Sequence, residues 1–203
     1  MLDYGIGNLR SAQKGLQFVG ADARLTSDKK LIADADAVVL PGVGNFGACM
    51  TALREADLED SVFAAVKSSR PFLGICVGMQ MLFESSQESP GVAGLGIVAG
   101  EIKWLPVGVQ RPQMQWNRLK ITADDLFAGL SENPWMYFVH SLSAAPADAA
   151  VAVATCKYGT DLVAAIRHEN IFATQFHPEK SATEGLRILE NFVSSCTVAA
   201  TSK

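Results

Sequence analysis

The chain has 203 residues, 49% of them apolar and 19% charged. At about 150 residues per domain that is one domain, with enough apolar material for a substantial core and too much for intrinsic disorder. Seventeen Lys and Arg against 21 Asp and Glu leave a formal net charge of −4, with no long run of either sign. Recognition of nucleic acid or of an anionic membrane by bulk charge needs clustered basic residues, and the sequence has none. No apolar stretch approaches the roughly 18 residues of a membrane span. The N-terminal MLDYGIGNLR lacks the basic start and apolar middle of a secretory signal. The cysteines at 49, 76, 156 and 196 share no short spacing, so neither a disulfide framework nor a metal site is read. The expectation is a cytoplasmic, enzyme-sized domain.

Leu9 to Val19 spaces Leu9, Ala12, Leu16 and Val19 three or four apart and predicts a helix. Asp36 to Leu40 is an apolar run ending at Pro41-Gly42, a predicted strand. Phe46 to Arg54 and Leu58 to Lys67 predict two more helices. Pro71 to Ile75 predicts a second strand leading to Cys76, and Val77 to Ser85 a fourth helix. Both strands lack polar alternation, as strands covered on two faces do. From about Gly91 to Ala150, Pro106, Pro112, Pro134 and Pro146 punctuate short segments, read as excursions and antiparallel strands within the same domain. Asp161 to Arg167 and Ile171 to Phe176 predict a hairpin turning at His168-Glu169-Asn170. Thr183 to Ser194 predicts a closing helix with Leu186, Leu189, Phe192 and Val193 on one face. Ser181 or Thr183 is its N-cap, and 197–203 reads as a frayed tail. Strands alternating with helices predict an α/β fold with a mostly parallel sheet.

The strongest chemical signal is Gly74-Ile75-Cys76-Val77-Gly78, between a strand and a helix. Glycines two before and two after the cysteine permit a tight strand-to-helix turn that projects the sulfur, the logic of a nucleophile elbow. The following helix start favours a thiolate. Read alone, the pattern fits a buried packing cysteine equally well. His177 supplies a base: it closes an apolar strand, and Pro178 biases it to extended geometry. Alternation then sets Glu179 on the same side, where a carboxylate fixes the imidazole tautomer. Together these residues read as a Cys-His-Glu hydrolase. Pro41-Gly42-Val43-Gly44 ends another strand, and its N–H groups together with that of Val77 could form an oxyanion hole; an ordinary turn is the equal alternative. Gly5-Ile6-Gly7-Asn8 lacks the third glycine of a dinucleotide fingerprint, since Arg10 stands there, and no cofactor site is read. Cys49, Cys156 and Cys196 read as packing residues, and His168 as a solvated turn residue. His140 fits either the core or the site's edge. The aromatic run Trp135-Met136-Tyr137-Phe138 reads as core, with any exposed share suited to a partner interface.

These pieces together resemble the class I, triad-type glutamine amidotransferases, and within them the glutaminase subunits of imidazole glycerol phosphate synthase. The resemblance runs through Asp3-Tyr4-Gly5 with Gly7-Asn8-Leu9-Arg10-Ser11, Pro41-Gly42-Val43-Gly44 and Gly74-Ile75-Cys76-Val77-Gly78-Met79-Gln80. It continues through Trp116-Asn117, Tyr137-Phe138-Val139-His140-Ser141 and Gln175-Phe176-His177-Pro178-Glu179-Lys180-Ser181. It implies a flavodoxin-like sheet that hydrolyses L-glutamine, with Cys76 attacking the side-chain amide, His177 carrying the proton and Glu179 orienting it. Gly44 and Val77 would hold the oxyanion, with the Gly42-Val43 peptide reorienting, and Gln80 and Glu84 would hold glutamine. The implied partner is a (β/α)₈-barrel cyclase, with Trp116, Asn117, Tyr137 and Lys180 at or near the interface. Ammonia would pass to it to make imidazole glycerol phosphate in histidine biosynthesis; no cofactor is implied.

Three positions depart from the family pattern. Gln115 replaces a glycine beside Trp116, which calls for a different backbone conformation there and bears on docking. Leu142 stands where tyrosine is usual. The chain opens only two residues before Asp3, which reads as a truncated start or a shortened first strand. Three competing readings remain: the glutaminase of another amidotransferase such as that of pyridoxal phosphate synthesis, a stand-alone cysteine hydrolase of γ-glutamyl substrates, and a non-catalytic binding module.

Overall fold

The two apolar runs become adjacent buried strands. The computed structural model describes residues 1–7, 9–122 and 124–201, and of 197–201 the backbone alone. The chain runs through α1 (Arg10–Phe18), α2 (Lys29–Asp34), β1 (Val38–Gly42), α3 (Phe46–Glu55), α4 (Glu59–Lys67), β2 (Phe72–Cys76) and α5 (Val77–Gln80). It continues through β3 (Phe83–Ser86), β4 (Val98–Trp104), β5 (Gln113–Ile121), β6 (Trp135–His140) and β7 (Leu142–Pro146). The last elements are β8 (Ala152–Tyr158), β9 (Thr160–His168), β10 (Ile171–Thr174) and α6 (Ala182–Thr201). Seven strands form one sheet in the order β1-β2-β10-β9-β8-β5-β6, and β3-β4-β7 form a smaller one.

The expected α/β sheet with grafted antiparallel strands is present, with a larger antiparallel share than the pattern implied. In the seven-stranded sheet the β1-β2 and β2-β10 pairs are parallel, while β10-β9, β9-β8, β8-β5 and β5-β6 are antiparallel. The reason is local. The long stretch after β3 carries no crossover helix, and without one neighbouring strands pair as hairpins. The hairpin at His168-Glu169-Asn170 forms as expected, with Glu169 in the left-handed region. At the outer edge of β1, residues 1–3 make a short parallel contact: Leu2 donates to the Val39 carbonyl and bridges Thr26. The first strand is thus reduced to a bridge.

Two elements end elsewhere than predicted. The helix expected over 77–85 stops after one turn at Gln80, and Phe83–Ser86 is a strand. Met79, Met81, Leu82 and Phe83 are all fully buried, more than one helical face can hide, so packing overrides periodicity. Helix α6 runs on to Thr201 through the segment read as a frayed tail, while Ser202 and Lys203 lie outside the described residues. Ser181 immediately precedes α6, and its hydroxyl donates to the His177 carbonyl at 2.6 Å and accepts from the Tyr137 N–H at 3.0 Å.

The parallel core is sealed by contacts that leave no room for extra atoms. A Cβ on Gly78 would overlap the Leu40 carbonyl oxygen, and one on Gly74 would lie 3.0 Å from the Ala173 Cβ. The glycines on either side of Cys76 are therefore packing requirements of the β1-β2-β10 unit. Gly78→Ala should lower unfolding free energy by about 3 kcal/mol or more, because backbone must move, not a side chain. A urea midpoint matching the native chain would contradict this.

Candidate active site

Cys76 ends β2 with φ +56° and ψ −114°, a backbone conformation that L residues rarely hold. Such strain costs on the order of 1 to 3 kcal/mol and persists only when its surroundings enforce it. Here Gly42 of β1 pairs with Cys76, and the close approach at Gly78 locks the turn from the other side. The sulfur faces a cavity of about 330 Å³ that also receives Val43, Gly44, Val77, Gln80 and His177.

His177 follows β10, the other neighbour of β2, so the two candidate groups arrive at the same sheet end on adjacent strands. Its Nδ1 donates to Glu179 Oε1 at 2.8 Å, and both side chains are almost wholly buried. That leaves Nε2 for the sulfur. Burial alone would lower the imidazole's pKa; hydrogen bonds to Cys76 and to Glu179, with the charges they carry, outweigh it and raise the value to about 9. The second carboxylate oxygen of Glu179 is buried with no hydrogen-bond partner among the described residues. Helix α1 comes close there, since a Cβ on Gly15 would lie 3.2 Å from that of Glu179.

The remaining expected residues divide. Val43, Gly44 and Val77 line the cavity, while Gly42 packs against the backbone of Val77 and Gly78. Gln80, one helical turn after Cys76, also lines it, and its Nε2 donates to Gln175 Oε1 at 2.9 Å. Glu84 does not. The helix that would have carried it round to the cavity ends at Gln80, and Glu84 instead sits exposed on β3, accepting from the Gly100 N–H at 2.7 Å. The carboxylate that does reach the cavity is Glu88, which also accepts from the Phe46 N–H at 2.7 Å. No sequence signal distinguished Glu88. Gln175, which was also missed, is fully buried with Nε2 3.8 Å from the Cys76 sulfur. It stands two residues before His177, so alternation along the strand could have found it.

His140 proves to be both core and edge: it is 6% exposed and lines the cavity. Burial, against the pull of a 2.6 Å contact with the Leu142 carbonyl, lowers its pKa to about 4, so the ring is neutral near pH 7. Nδ1 donates to that carbonyl. Nε2 lies 3.0 Å from Gln113 Oε1, while the amide nitrogen of Gln113 is buried without a partner among the described residues, so turning that amide over would give a neutral Nε2 its donor. Leu142 lines the same cavity.

Outside the cavity, Trp116 and Tyr137 pair across β5 and β6 with ring centroids 6.1 Å apart. Trp116 is 44% exposed and Trp135 48%, so the aromatic run is partly surface. Lys180 is exposed at the cavity mouth. Asn117 turns away, donating to the Lys157 carbonyl on β8 at 2.9 Å. Gln115 sits in regular β5 pairing opposite Phe138 and not in a left-handed conformation, so its side chain carries no backbone cost. A larger cavity of about 550 Å³, lined by Asp124, Arg167 and Asn170, holds none of the expected residues; its Arg167–Asp124 pair is a structural clasp.

A family model described as glutamine amidotransferase class-I matches residues 5–196. The chain belongs to the class-I glutamine amidotransferases. Among curated relatives, the imidazole glycerol phosphate synthase subunit HisH of Methanothermobacter thermautotrophicus is 47% identical over 193 residues, covering 95% of this chain and 96% of that one. The protein of the same name from a Nostoc species is 47% identical over 200 residues, covering 96% and 94%. A crystal structure of a glutamine amidotransferase superposes with a TM-score of 0.76 at 22% identity, covering 97% of each chain, a likeness of fold. No helix among the described residues is long and apolar enough to cross a membrane.

The raised pKa of His177 makes stability depend on pH. A folded value above the ordinary 6.5 means the contribution is fully present below pH 6.5 and is lost as pH climbs through about 9. The stability difference between the native chain and His177→Gln should therefore shrink by up to about 3 kcal/mol between pH 6 and pH 9.5. Urea unfolding at both pH values checks it; a constant difference would rule out the raised value.

Proposed function

We infer that this chain is the glutaminase subunit of an imidazole glycerol phosphate synthase, acting as one glutamine amidotransferase domain in histidine biosynthesis. The relatives at 47% identity over nearly their whole length carry that name. One observation carries the chemistry: a cysteine on a strained turn shares a cavity with an imidazole whose far nitrogen is held by a buried carboxylate.

In this reading the thiol proton already rests on His177 Nε2, and the Cys76 sulfur attacks the γ-carboxamide carbon of L-glutamine. The tetrahedral oxyanion is met by the N–H of Val77 and by those of the Val43-Gly44 segment, donors fixed before the charge develops. His177 then passes its proton to the departing nitrogen, releasing ammonia and leaving a thioester on Cys76. Water, deprotonated by the same imidazole, adds to the thioester carbon, and glutamate leaves as the thiol is restored. Glu179 keeps Nδ1 protonated and the ring turned towards the sulfur throughout. Gln80, its nitrogen committed to Gln175, presents its oxygen to the substrate.

The ammonia goes to a (β/α)₈-barrel cyclase subunit in a heterodimer, which makes imidazole glycerol phosphate and an aminoimidazole carboxamide ribonucleotide. The exposed Trp116, its ring partner Tyr137 and the nearby Lys180 supply the docking surface, and Asn117 contributes through the strand it holds to β8. The setting for this soluble biosynthetic step is the cytoplasm. A glutaminase coupled in this way is nearly silent alone.

Mixing the chain with its cyclase subunit and the ribulosyl ligand should raise glutamate release by at least about a hundredfold. Full turnover by the isolated chain would favour a stand-alone hydrolase instead. Cys76→Ala should abolish glutamine-dependent synthesis in the complex and leave ammonia-dependent synthesis intact; indifference of both would mark a binding module. Trp116→Ala should weaken the complex by about 1 to 3 kcal/mol, read by titration calorimetry, as expected for an aromatic interface anchor. An unchanged Kd would move the interface elsewhere.

A further inference from the structure

Two buried side chains that the chemistry leaves unused hold the loop after β1. Tyr4, 4% exposed, donates its hydroxyl to the Pro41 carbonyl at 2.5 Å. Cys49, fully buried in the first turns of α3, donates its thiol to the Val43 carbonyl at 3.4 Å. The Tyr4 hydroxyl also lies 3.6 Å from the Met81 sulfur. Burial pushes the Cys49 thiol up to about 11 and raises the tyrosine as well, so both remain protonated donors at neutral pH. The Val43 side chain is lodged against Gly7, where a Cβ would overlap Val43 Cγ2. That close approach gives a packing role to the N-terminal glycine pair, which otherwise resembles half a nucleotide fingerprint.

A peptide plane turns by paired rotation about ψ before it and φ after it. The Pro41 carbonyl belongs to the plane joining 41 and 42, and the Val43 carbonyl to the plane joining 43 and 44. Between them Gly42 pairs with Cys76 at the end of the β1–β2 ladder, so the segment is held on both flanks and at its middle. We propose that Tyr4 and Cys49 are positioning residues that clamp these two carbonyls and so fix the direction in which the N–H groups of the oxyanion loop point. This rests on the glutaminase reading above. The clamp acts through the loop backbone and touches no reacting atom.

The test uses the full chain and its complex with the cyclase subunit, comparing Tyr4→Phe, Cys49→Ala and Cys49→Ser. Hydrogen exchange followed by mass spectrometry should show amides of 42–45 exchanging about fivefold faster in Tyr4→Phe and Cys49→Ala, with the helices unchanged. In the complex, kcat for glutamine hydrolysis should fall about tenfold in Tyr4→Phe and about fivefold in Cys49→Ala, with KM moving less than about twofold. Cys49→Ser, which keeps a donor, should recover most of both effects. Unchanged exchange, a change in KM alone, or an equal loss of ammonia-dependent synthesis would each overturn the clamp. Absence of glutamate release by the unmutated complex would instead sink the glutaminase reading, and the exchange measurement would still decide the clamp.

Discussion

The reversal of the chain at Cys76 is the constraint on which the rest depends. A left-handed cysteine is unfavourable in isolation, and nothing in its own chemistry keeps it there. It is kept by backbone-to-backbone packing: β1 alongside β2, and the start of α5 pressed against the Leu40 carbonyl. The sulfur's direction is therefore set by the most deeply buried part of the molecule. The same contact fixes how near the Gly42 segment can come to the elbow, so nucleophile and oxyanion donors share one framework.

The two histidines beside that framework are about equally buried and shift in opposite directions. His177 and His140 are both nearly inaccessible, and desolvation disfavours charge on either ring. What separates them is the second partner. His177 faces a carboxylate and a sulfur, which hold its proton; His140 faces a carbonyl and an amide, which cannot repay the lost hydration. One ring can carry protons at neutral pH and the other serves as a wall. Neighbours, not depth, assign the roles.

How legible each part was in the sequence follows from how local its cause is. The elbow and the His-Pro-Glu strand end were readable because flanking glycines and a proline dictate backbone within two residues of the functional group. The α1, α3 and α4 spans followed from apolar spacing, with ends shifting by a residue or two. Glu84 was misplaced because the expected helix is cut short by the burial of Met81, Leu82 and Phe83, a tertiary effect with no local signature. Glu88 reaches the cavity by way of the N-terminus of α3, a contact 42 residues away in sequence. The antiparallel half of the sheet was underestimated for a similar reason, since pairing direction there is decided by the lack of crossover helices. Asn8, part of the motif that carried the resemblance, lies outside the described residues.

The neighbouring positions of β2 and β10 carry a consequence for the order of events during synthesis. Gln175 and Cys76 meet across a sequence separation of 99 residues, with the whole antiparallel excursion threaded between them. A nascent polypeptide on the ribosome exposes its thiol long before the matching imidazole has been translated. Closing so long a loop comes late in folding. Prematurely terminated fragments thus lack the second half of the machinery.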